Sequence, residues 1–315
     1  MAQRILFRAK DHIGLEAYEP EPLAEGSVRL HTRYSLISSG TEGIVLRGLF
    51  DPGTHWANWV SYPFRPGYSA VGVVAAVGPG VSDLEVGDRV AARVGHATDH
   101  VVPAVSCTRV PDEVPLDQAC WFGLAKIGLV GALAAGYELG DSVAVIGAGP
   151  IGQMSVRWAV AAGATRVVAI DTVPKRLEMA LQGGATEVVA ASAEDALFRG
   201  KPRVVVDTTG NAAVFASALR LAADHGRVVL LGDSGSPATQ HLTSDVITRG
   251  VTVVGAHDKH GTNQLHETFF QLARTGRFDL SGLTTHVFAP SDFQAAYDAC
   301  ANRAALGVAF DWSHV

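Results

Sequence analysis

The stretch Val143-Ala144-Val145-Ile146-Gly147-Ala148-Gly149-Pro150-Ile151-Gly152 decides the fold of this chain. Its first four residues are a short apolar run, which is typical of a strand buried on both faces. The glycines have the spacing G-x-G-x-x-G, and the segment from Gln153 to Val160 has the composition of a helix. A strand, a glycine turn and a helix in this order predict the dinucleotide-binding site of a βαβ unit.

Each glycine of this turn has its own physical role. Gly147 permits the tight turn, Gly149 lets the backbone approach a pyrophosphate, and Gly152 allows the helix to pack closely on the strand. Pro150 and Ile151 open the helix, whose free N–H groups and partial positive charge attract phosphates. The alternative is a structural glycine turn with no ligand.

Asp171 ends the next predicted strand, near the spacing expected for the carboxylate that binds the adenosine ribose hydroxyls. A carboxylate at this position repels a 2′-phosphate, so the sequence favours NAD over NADP. Lys175 and Arg176 follow closely and soften that preference, and Arg176 is counted among the cofactor-binding residues. The alternative for Asp171 is a solvated side chain.

Further Val-rich runs alternate with helical segments such as Ala212–Ala222. This alternation predicts a doubly wound parallel sheet, and its strands are Val143–Ile146, Val167–Ile170, Val204–Val206, Val228–Leu231, Val251–Val254 and a short Val188-Val189. Thr208, Gly232 and Asp233 follow two of these strands, where such sheets bind ligands, so they are predicted cofactor neighbours. Each of the three is equally well explained as an ordinary loop residue.

The first third of the chain has a different pattern. Short alternating or β-rich runs, punctuated by Gly and Pro, predict an irregular all-β domain; they include Val28–Thr32, Ser69–Gly78 and Gly87–Ala92. The run Gly307–Trp312 near the end is expected to be a strand that pairs back into this first domain. We therefore divide the chain into a β-rich domain over 1–120, a dinucleotide-binding domain over 121–260 and a returning segment over 261–315.

The composition excludes several functional classes. Hydrophobic residues make up 48% of the chain, and the net charge of -6 has no block of like charges, so neither a nucleic-acid nor a membrane surface is expected. The apolar stretches are shorter than a membrane span, and the N-terminus lacks the apolar core of a secretion signal. The three cysteines form no CxxC pair, which fits a reducing, cytoplasmic location.

The order of these features resembles the medium-chain dehydrogenase/reductase superfamily over essentially the whole chain. The phrases that carry the resemblance are Pro79-Gly80-Val81, Gly87-Asp88-Arg89-Val90, Gly140-Asp141-Ser142-Val143 and Gly226–Gly232. The resemblance implies an α/β fold, in which a GroES-like β-rich catalytic domain joins a Rossmann doubly wound parallel sheet. It also implies reversible hydride transfer on a small-molecule substrate at a cleft between the domains, in a homodimer or tetramer.

The chain departs from this superfamily where many members hold a catalytic zinc. Ser39, Tyr68 and the Gly123-Leu124 pair stand at the three ligand positions, and the four-cysteine lobe that binds structural zinc is missing. Catalytic zinc needs about three protein ligands, so we expect no bound zinc. In this respect the chain resembles a zinc-lacking branch that includes relatives of bacteriochlorophyllide dehydrogenase.

The resemblance places several candidate catalytic residues around the lost metal position. Tyr68 replaces a ligand, and a hydrogen bond from Tyr68 to Glu42 is one hypothesis. Thr41 occupies the place of a proton-relay hydroxyl, and Lys126 is expected near the nicotinamide, where it would lower the pKa of Tyr68. The alternative is that Tyr68 fills the metal cavity and Lys126 is a solvated cation.

Histidines are further candidates, because imidazole exchanges protons near neutral pH. His96 lies in a loop expected close to the cleft, and His55 is beside two tryptophans in a segment that shapes the substrate pocket. His257 follows the last predicted strand. For each of them a structural or exposed role is the alternative.

Three functions fit these observations. The first is a zinc-independent NAD(H)-dependent oxidoreductase, which transfers hydride between nicotinamide and a hydroxyl or ketone substrate. The second is an NAD(P)H-dependent reductase of activated C=C bonds in enones or quinones. The third is a non-catalytic nucleotide-binding protein. The first two functions are distinguished by the compound that oxidises NADH, which is a ketone for the first and an enone or quinone for the second.

Overall fold

A computed structural model describes residues 1–197, 199–258, 263–302 and 305–314. Its strands are β1 (Ala2–Ala9), β2 (His12–Tyr18), β3 (Ser27–Leu36), β4 (Ala70–Val77), β5 (Arg89–Ala92), β6 (Asp99–Pro103), β7 (Thr108–Arg109), β8 (Ser142–Ile146), β9 (Arg166–Asp171), β10 (Glu187–Ala190), β11 (Val204–Asp207), β12 (Arg227–Leu230), β13 (Thr252–Gly255), β14 (Thr284–Phe288) and β15 (Gly307–Asp311). Its α-helices are α1 (Ser39–Arg47), α2 (His55–Trp59), α3 (Leu116–Ala119), α4 (Phe122–Ala135), α5 (Pro150–Ala161), α6 (Pro174–Gln182), α7 (Ala212–Leu221), α8 (Asp245–Thr248), α9 (Asn263–Arg274) and α10 (Phe293–Ala301). Short 3₁₀ turns lie at Ala104–Ser106, Pro237–Thr239 and Pro290–Asp292.

The predicted parallel sheet is confirmed. Its six strands have the order β10-β9-β8-β11-β12-β13, and every neighbouring pair is parallel. The chain runs outward in one direction from β8 and in the other from β11, so the order reverses between these two strands. Such a switch point opens a crevice at the carboxyl ends of the strands. The turn after β8 and the loop after β11 border this crevice.

The second sheet joins the two ends of the chain. It has the order β14-β15-β3-β4-β5-β7, with β6 also paired to β3. The expected C-terminal strand is present as β15, and it pairs antiparallel with β3, placing Ala309 opposite Leu36. Residues at both ends of the sequence therefore build the same domain.

The interpretation of the first third as all-β was wrong in one respect. Two helices, α1 and α2, leave the sheet after β3 and form one side of the cleft described below. Gly40 and Gly43 lower the helix propensity of α1. For that reason the sequence of this segment did not predict a helix. These helices carry several of the predicted site residues, including Ser39, Thr41 and Glu42.

Helix α4 connects the two sheets. It is apolar on all sides, as expected for a helix buried inside a domain, and it packs against α5 and α9. Trp121 and Phe122 at its start are completely buried, and a buried aromatic ring of this kind stabilises the fold by about 1.5–3 kcal/mol. Among the described residues, no helix has the length and apolarity needed to cross a membrane.

Candidate active site

The glycine turn after β8 has the geometry that its sequence predicts. Gly147 has φ 86°, a left-handed conformation that favours glycine. A Cβ on Gly152 would lie 1.8 Å from the carbonyl oxygen of Gly147, so only glycine permits this approach of helix to turn. Helix α5 begins at Pro150 directly after Gly149, and its N-terminus faces the cleft. The turn therefore fits the pyrophosphate of a dinucleotide.

Asp171 and Arg176 lie beside this turn. The Asp171 carboxylate accepts hydrogen bonds from the backbone N–H groups of Ala148 (2.7 Å) and Val173 (2.9 Å). One guanidinium nitrogen of Arg176 is 3.8 Å from that carboxylate and 3.7 Å from the position of a Cβ on Gly149. Both side chains line the cleft, where a carboxylate suits ribose hydroxyls and a guanidinium suits phosphate.

The other three predicted cofactor neighbours have different roles. The Thr208 hydroxyl lies 3.0 Å from the carbonyl oxygens of both Ile146 and Gly147, so it holds the glycine turn in place. Gly232 packs so tightly on the backbone of the loop after β11 that a Cβ there would meet it at 2.4 Å. Asp233 extends into the cleft, and its carboxylate is 2.9 Å from Nε2 of His55.

The cleft between the two sheets has a volume of about 1490 Å³. This exceeds the ~300–1,000 Å³ of pockets that hold one small ligand, so a dinucleotide and a substrate fit together. The structure brings most of the predicted residues to its walls, namely Thr41, Glu42, His55, Tyr68, Gly147, Gly149, Pro150, Ile151, Gly152, Asp171, Arg176, Thr208, Gly232, Asp233 and His257. Lys126 and His96 are not among the lining residues.

Tyr68 has a partner other than the one hypothesised. Its hydroxyl is 2.7 Å from the Ser38 hydroxyl, and the predicted hydrogen bond to Glu42 is absent among the described residues. Burial raises the pKa of Tyr68 to about 12, although the hydrogen bond to Ser38 and the charge of Arg93 act in the opposite direction. Tyr68 is therefore a neutral phenol at physiological pH, which suits a proton donor.

Glu42 instead forms the centre of a buried cluster at the wall of the cleft. Its carboxylate accepts hydrogen bonds from the backbone N–H of Ser38 (2.7 Å), from Nε2 of His96 (3.1 Å) and from the hydroxyl of Tyr297 (2.6 Å). His96 is only 2% exposed and its other ring nitrogen lies 2.7 Å from Ser35 Oγ. His96 lies close to the cleft, because it contacts the lining residues Glu42 and Gly67, but it is buried and does not line the cleft itself.

Lys126 is buried, so the alternative that it is a solvated cation was wrong. Its ammonium lies 2.9 Å from the Asp258 carboxylate and 2.6 Å from the Asp258 backbone carbonyl. The pKa of Tyr68 is raised rather than lowered, and the cation that opposes this rise is Arg93. The sequence reasoning missed Arg93, Asp258 and Tyr297. Asp258 follows β13 at the carboxyl end of the parallel sheet, a position that could have revealed it.

Comparison with known proteins agrees with this geometry. The model of the alcohol dehydrogenase GroES-like domain matches residues 39–135, and the model of the zinc-binding dehydrogenase matches residues 150–274. The chain is 30% identical over 288 residues to an L-threonine 3-dehydrogenase from Bacillus velezensis, which covers 78% of this chain and 82% of the relative. The chain belongs to the zinc-type alcohol dehydrogenase-like superfamily of medium-chain dehydrogenases/reductases.

Solved structures show the same fold for this superfamily member. A 2R,3R-butanediol dehydrogenase from Bacillus subtilis superposes with a TM-score of 0.83 at 20% identity over 99% of both chains. A short-chain alcohol dehydrogenase from Escherichia coli, complexed with NADH, gives 0.83 at 22% identity over 98% of this chain and 99% of the other. Together with the family models and the L-threonine 3-dehydrogenase relative, this fold identifies an oxidoreductase with a GroES-like domain and a Rossmann-type sheet.

The donor set of this superfamily member does not fit a catalytic zinc. A Cβ on Gly123 would lie 2.6 Å from Ser69 Oγ, so the position that corresponds to the third ligand has no room for a side chain. At the other two positions of the sequence comparison the side chains are the Ser39 hydroxyl and the neutral phenol of Tyr68. Burial raises the pKa of the nearby Cys120 thiol and disfavours its thiolate. Within the described ranges, no three His, Cys, Asp or Glu side chains come together as a metal site.

Proposed function

We propose that this dehydrogenase is zinc-independent and NAD(H)-dependent, and that it interconverts a hydroxyl and a ketone substrate. The observation that carries the proposal is the Tyr68–Ser38 hydroxyl pair, 2.7 Å apart, on the cleft wall. A neutral phenol there provides a proton donor for a ketone oxygen, a task for which zinc members use a Lewis acid. The missing donor at Gly123 supports the same conclusion.

In this proposal, Tyr68 and Ser38 handle the proton, and the glycine turn and Asp171 bind the cofactor. When bound, the nicotinamide accepts or returns a hydride at the substrate carbon. In the reductive direction, Tyr68 donates its phenolic proton to the substrate oxygen, and Ser38 donates a hydrogen bond to the phenolate that remains. In the oxidative direction, the phenolate takes the hydroxyl proton back. The turn at Gly147–Gly152 and the carboxylate of Asp171 hold the dinucleotide.

A substrate panel tests the reaction class. We expect NADH to be oxidised by ketones and NAD to be reduced by the matching secondary alcohols, both followed by nicotinamide absorbance. Enones that lose their conjugated absorbance while simple ketones stay inert would replace the proposal with C=C reduction. The dehydrogenase names of the relatives favour the first outcome.

Metal analysis tests zinc independence. We expect protein purified from zinc-supplemented cells to hold far less than one zinc ion per chain and to keep its activity after a strong chelator, because a catalytic site needs about three protein ligands. Elemental analysis by mass spectrometry provides the measurement, with a zinc-type dehydrogenase purified in parallel as the control. Stoichiometric zinc whose removal abolishes turnover would contradict the proposal.

Replacing Asp171 with serine tests the preference for NAD. The change removes the carboxylate that suits ribose hydroxyls but keeps a hydroxyl for the Ala148 N–H. We expect the Kd of NADH to rise about tenfold, since a hydrogen bond to a charged group contributes ~1.5 kcal/mol or more, and the NADH/NADPH preference to shrink. Fluorescence titration measures both constants. Asp112→Ser, at an exposed and distant carboxylate, is the matched control, and an unchanged cofactor ratio would count against Asp171.

A further inference from the structure

Arg93 lies directly after β5 and faces Tyr68 across the cleft wall. Its guanidinium carbon is 5.0 Å from the centroid of the Tyr68 ring. The same guanidinium makes two hydrogen bonds to the carboxylate of Asp258, at 3.2 Å and 2.7 Å. This bidentate geometry fixes the plane and position of the cation relative to the phenol.

A second cation binds the same carboxylate. The Lys126 ammonium lies 2.9 Å from Asp258 Oδ1, and the Lys126 side chain is only 7% exposed. The three charged groups come from separate parts of the fold, namely the end of β5, helix α4 and the loop after β13. Two cations therefore share one carboxylate, so the group formed by Arg93, Lys126 and Asp258 carries a net positive charge.

The other groups around Tyr68 act on its pKa in both directions. Besides Arg93 and Asp258, the groups that influence the phenol are the Ser38 hydroxyl and the Glu42 carboxylate. The Glu42 carboxylate raises the pKa of Tyr68 and so opposes Arg93, although its own hydrogen bonds are made to Ser38, His96 and Tyr297. Burial, together with Arg93 and Lys126, lowers the pKa of nearby His266 to about 4, so that imidazole is neutral.

We propose that Arg93, held in place by Asp258 and Lys126, is a positioning residue that stabilises the phenolate of Tyr68 during proton transfer. The inference rests on the proposed function, in which Tyr68 exchanges a proton with the substrate oxygen. When Tyr68 gives up its proton, one negative charge appears on the phenolate, and a fixed cation 5.0 Å from the centroid of its ring favours that charge. Because the cation is oriented before the reaction, no reorganisation is needed at that moment.

Lys126 has a distinct part in this arrangement. An Arg93–Asp258 pair alone would be neutral, and its carboxylate would partly offset the field of the guanidinium at the phenol. Lys126 also pairs with this carboxylate, at Oδ1, and offsets its charge. We therefore expect Lys126→Met to weaken the effect of Arg93 without removing it.

The first experiment compares Arg93→Met with the wild type in the oxidative direction. Below the pKa of Tyr68, log kcat/KM for the alcohol should rise with pH, because the phenolate is the base. Loss of the cation should shift the rising part of the profile to higher pH by at least about one pH unit. At a fixed pH this shift lowers kcat/KM by about tenfold. Arg93→Lys should restore part of the rate, and Arg109→Met, which removes an exposed arginine paired with Asp88, should leave the profile unchanged.

The second experiment is a double-mutant cycle with Tyr68→Phe. If Arg93 acts through Tyr68, Arg93→Met should lower the rate of the Tyr68→Phe enzyme less than about twofold. The inference would be overturned if Arg93→Met lowered the rate by the same factor in the wild type and in the Tyr68→Phe enzyme. It would also be overturned if Arg93→Met left the pH profile in place. Melting temperature and the Kd of NADH must be unchanged in the variants; if Arg93→Met unfolds the protein, Arg93→Lys and Lys126→Met decide by the same cycle.

The cycle also separates this inference from the function on which it rests. A Tyr68→Phe enzyme with full activity would remove the proposed role of Tyr68 and the inference with it. A strongly impaired Tyr68→Phe enzyme combined with an additive Arg93→Met effect would leave the proposed function intact and reject only the role of Arg93.

Discussion

Replacement of Tyr68 with phenylalanine is expected to lower kcat about 100-fold or more, with little change in the Kd of NADH. A positioned general acid contributes roughly 10²–10⁴ to a rate. Phenylalanine keeps the ring that lies under the Arg93 guanidinium and loses only the hydroxyl that contacts Ser38. The packing of the cleft wall is thus preserved, and the lost rate reports the proton transfer.

The pH dependence of the wild type sharpens this expectation. With a pKa of about 12, Tyr68 is protonated throughout the neutral range, so ketone reduction should be nearly independent of pH there. Alcohol oxidation needs the phenolate and should accelerate as the pH rises. In the Tyr68→Phe enzyme that acceleration should disappear. Stopped-flow measurement of nicotinamide absorbance gives both directions.

Tyr34→Phe is the matched control for this experiment. Tyr34 is also half-buried, and its hydroxyl lies 3.4 Å from an Asp311 oxygen in the second sheet, outside the residues that line the cleft. We expect this variant to keep wild-type kinetics. An unchanged rate in Tyr68→Phe would reject the acid role and favour a tyrosine that only fills space.

The cofactor half of the site was predictable because its determinants are local. The apolar runs, the glycine spacing and the Asp171 carboxylate at the end of β9 all lie within about one βαβ unit, which is ~30 residues or more. Each strand of the parallel sheet was accordingly placed within about two residues of its observed ends. Periodicity and turn chemistry contain this information directly.

The catalytic half was harder to predict because its contacts join distant parts of the chain. Tyr297 contacts Glu42 across 255 positions, and Arg93 contacts Asp258 across 165. No pattern of period two or 3.6 reports such pairs. A comparison of ligand positions identified Tyr68 as the unusual residue, but only the folded chain shows that Arg93, rather than Lys126, lies against its ring.

These contacts divide the charged residues near the cleft into two groups. Arg93, Lys126 and Asp258 form a set with excess positive charge on the side of Tyr68. Glu42, on α1, and its three hydrogen-bond donors form a second, buried set. The structure gives Glu42 this set of partners, whereas the sequence suggested a role in catalysis. Its expected contribution is to stability, because it ties α1 to α10 and to the loop that contains His96.

Replacement of Glu42 with alanine should therefore destabilise the protein by about 3–5 kcal/mol, the usual cost of removing one partner from a buried charged network. The carboxylate is almost fully buried, and its loss leaves the hydroxyl of Tyr297, a ring nitrogen of His96 and the backbone N–H of Ser38 without an acceptor. Each buried donor left unsatisfied costs about 1–3 kcal/mol. Urea unfolding followed by tryptophan fluorescence measures the change.

Glu178→Ala provides the comparison, because Glu178 forms an exposed pair with Lys175 at 2.9 Å and its loss should cost at most about 0.5 kcal/mol. Glu42→Gln separates charge from shape, since the amide oxygen can still accept from Tyr297 but the amide nitrogen cannot accept a hydrogen bond. We expect an intermediate loss for that variant. A Glu42→Ala protein as stable as Glu178→Ala would show that the buried network does not hold α1 in place, and would return Glu42 to the list of residues that act in the reaction itself.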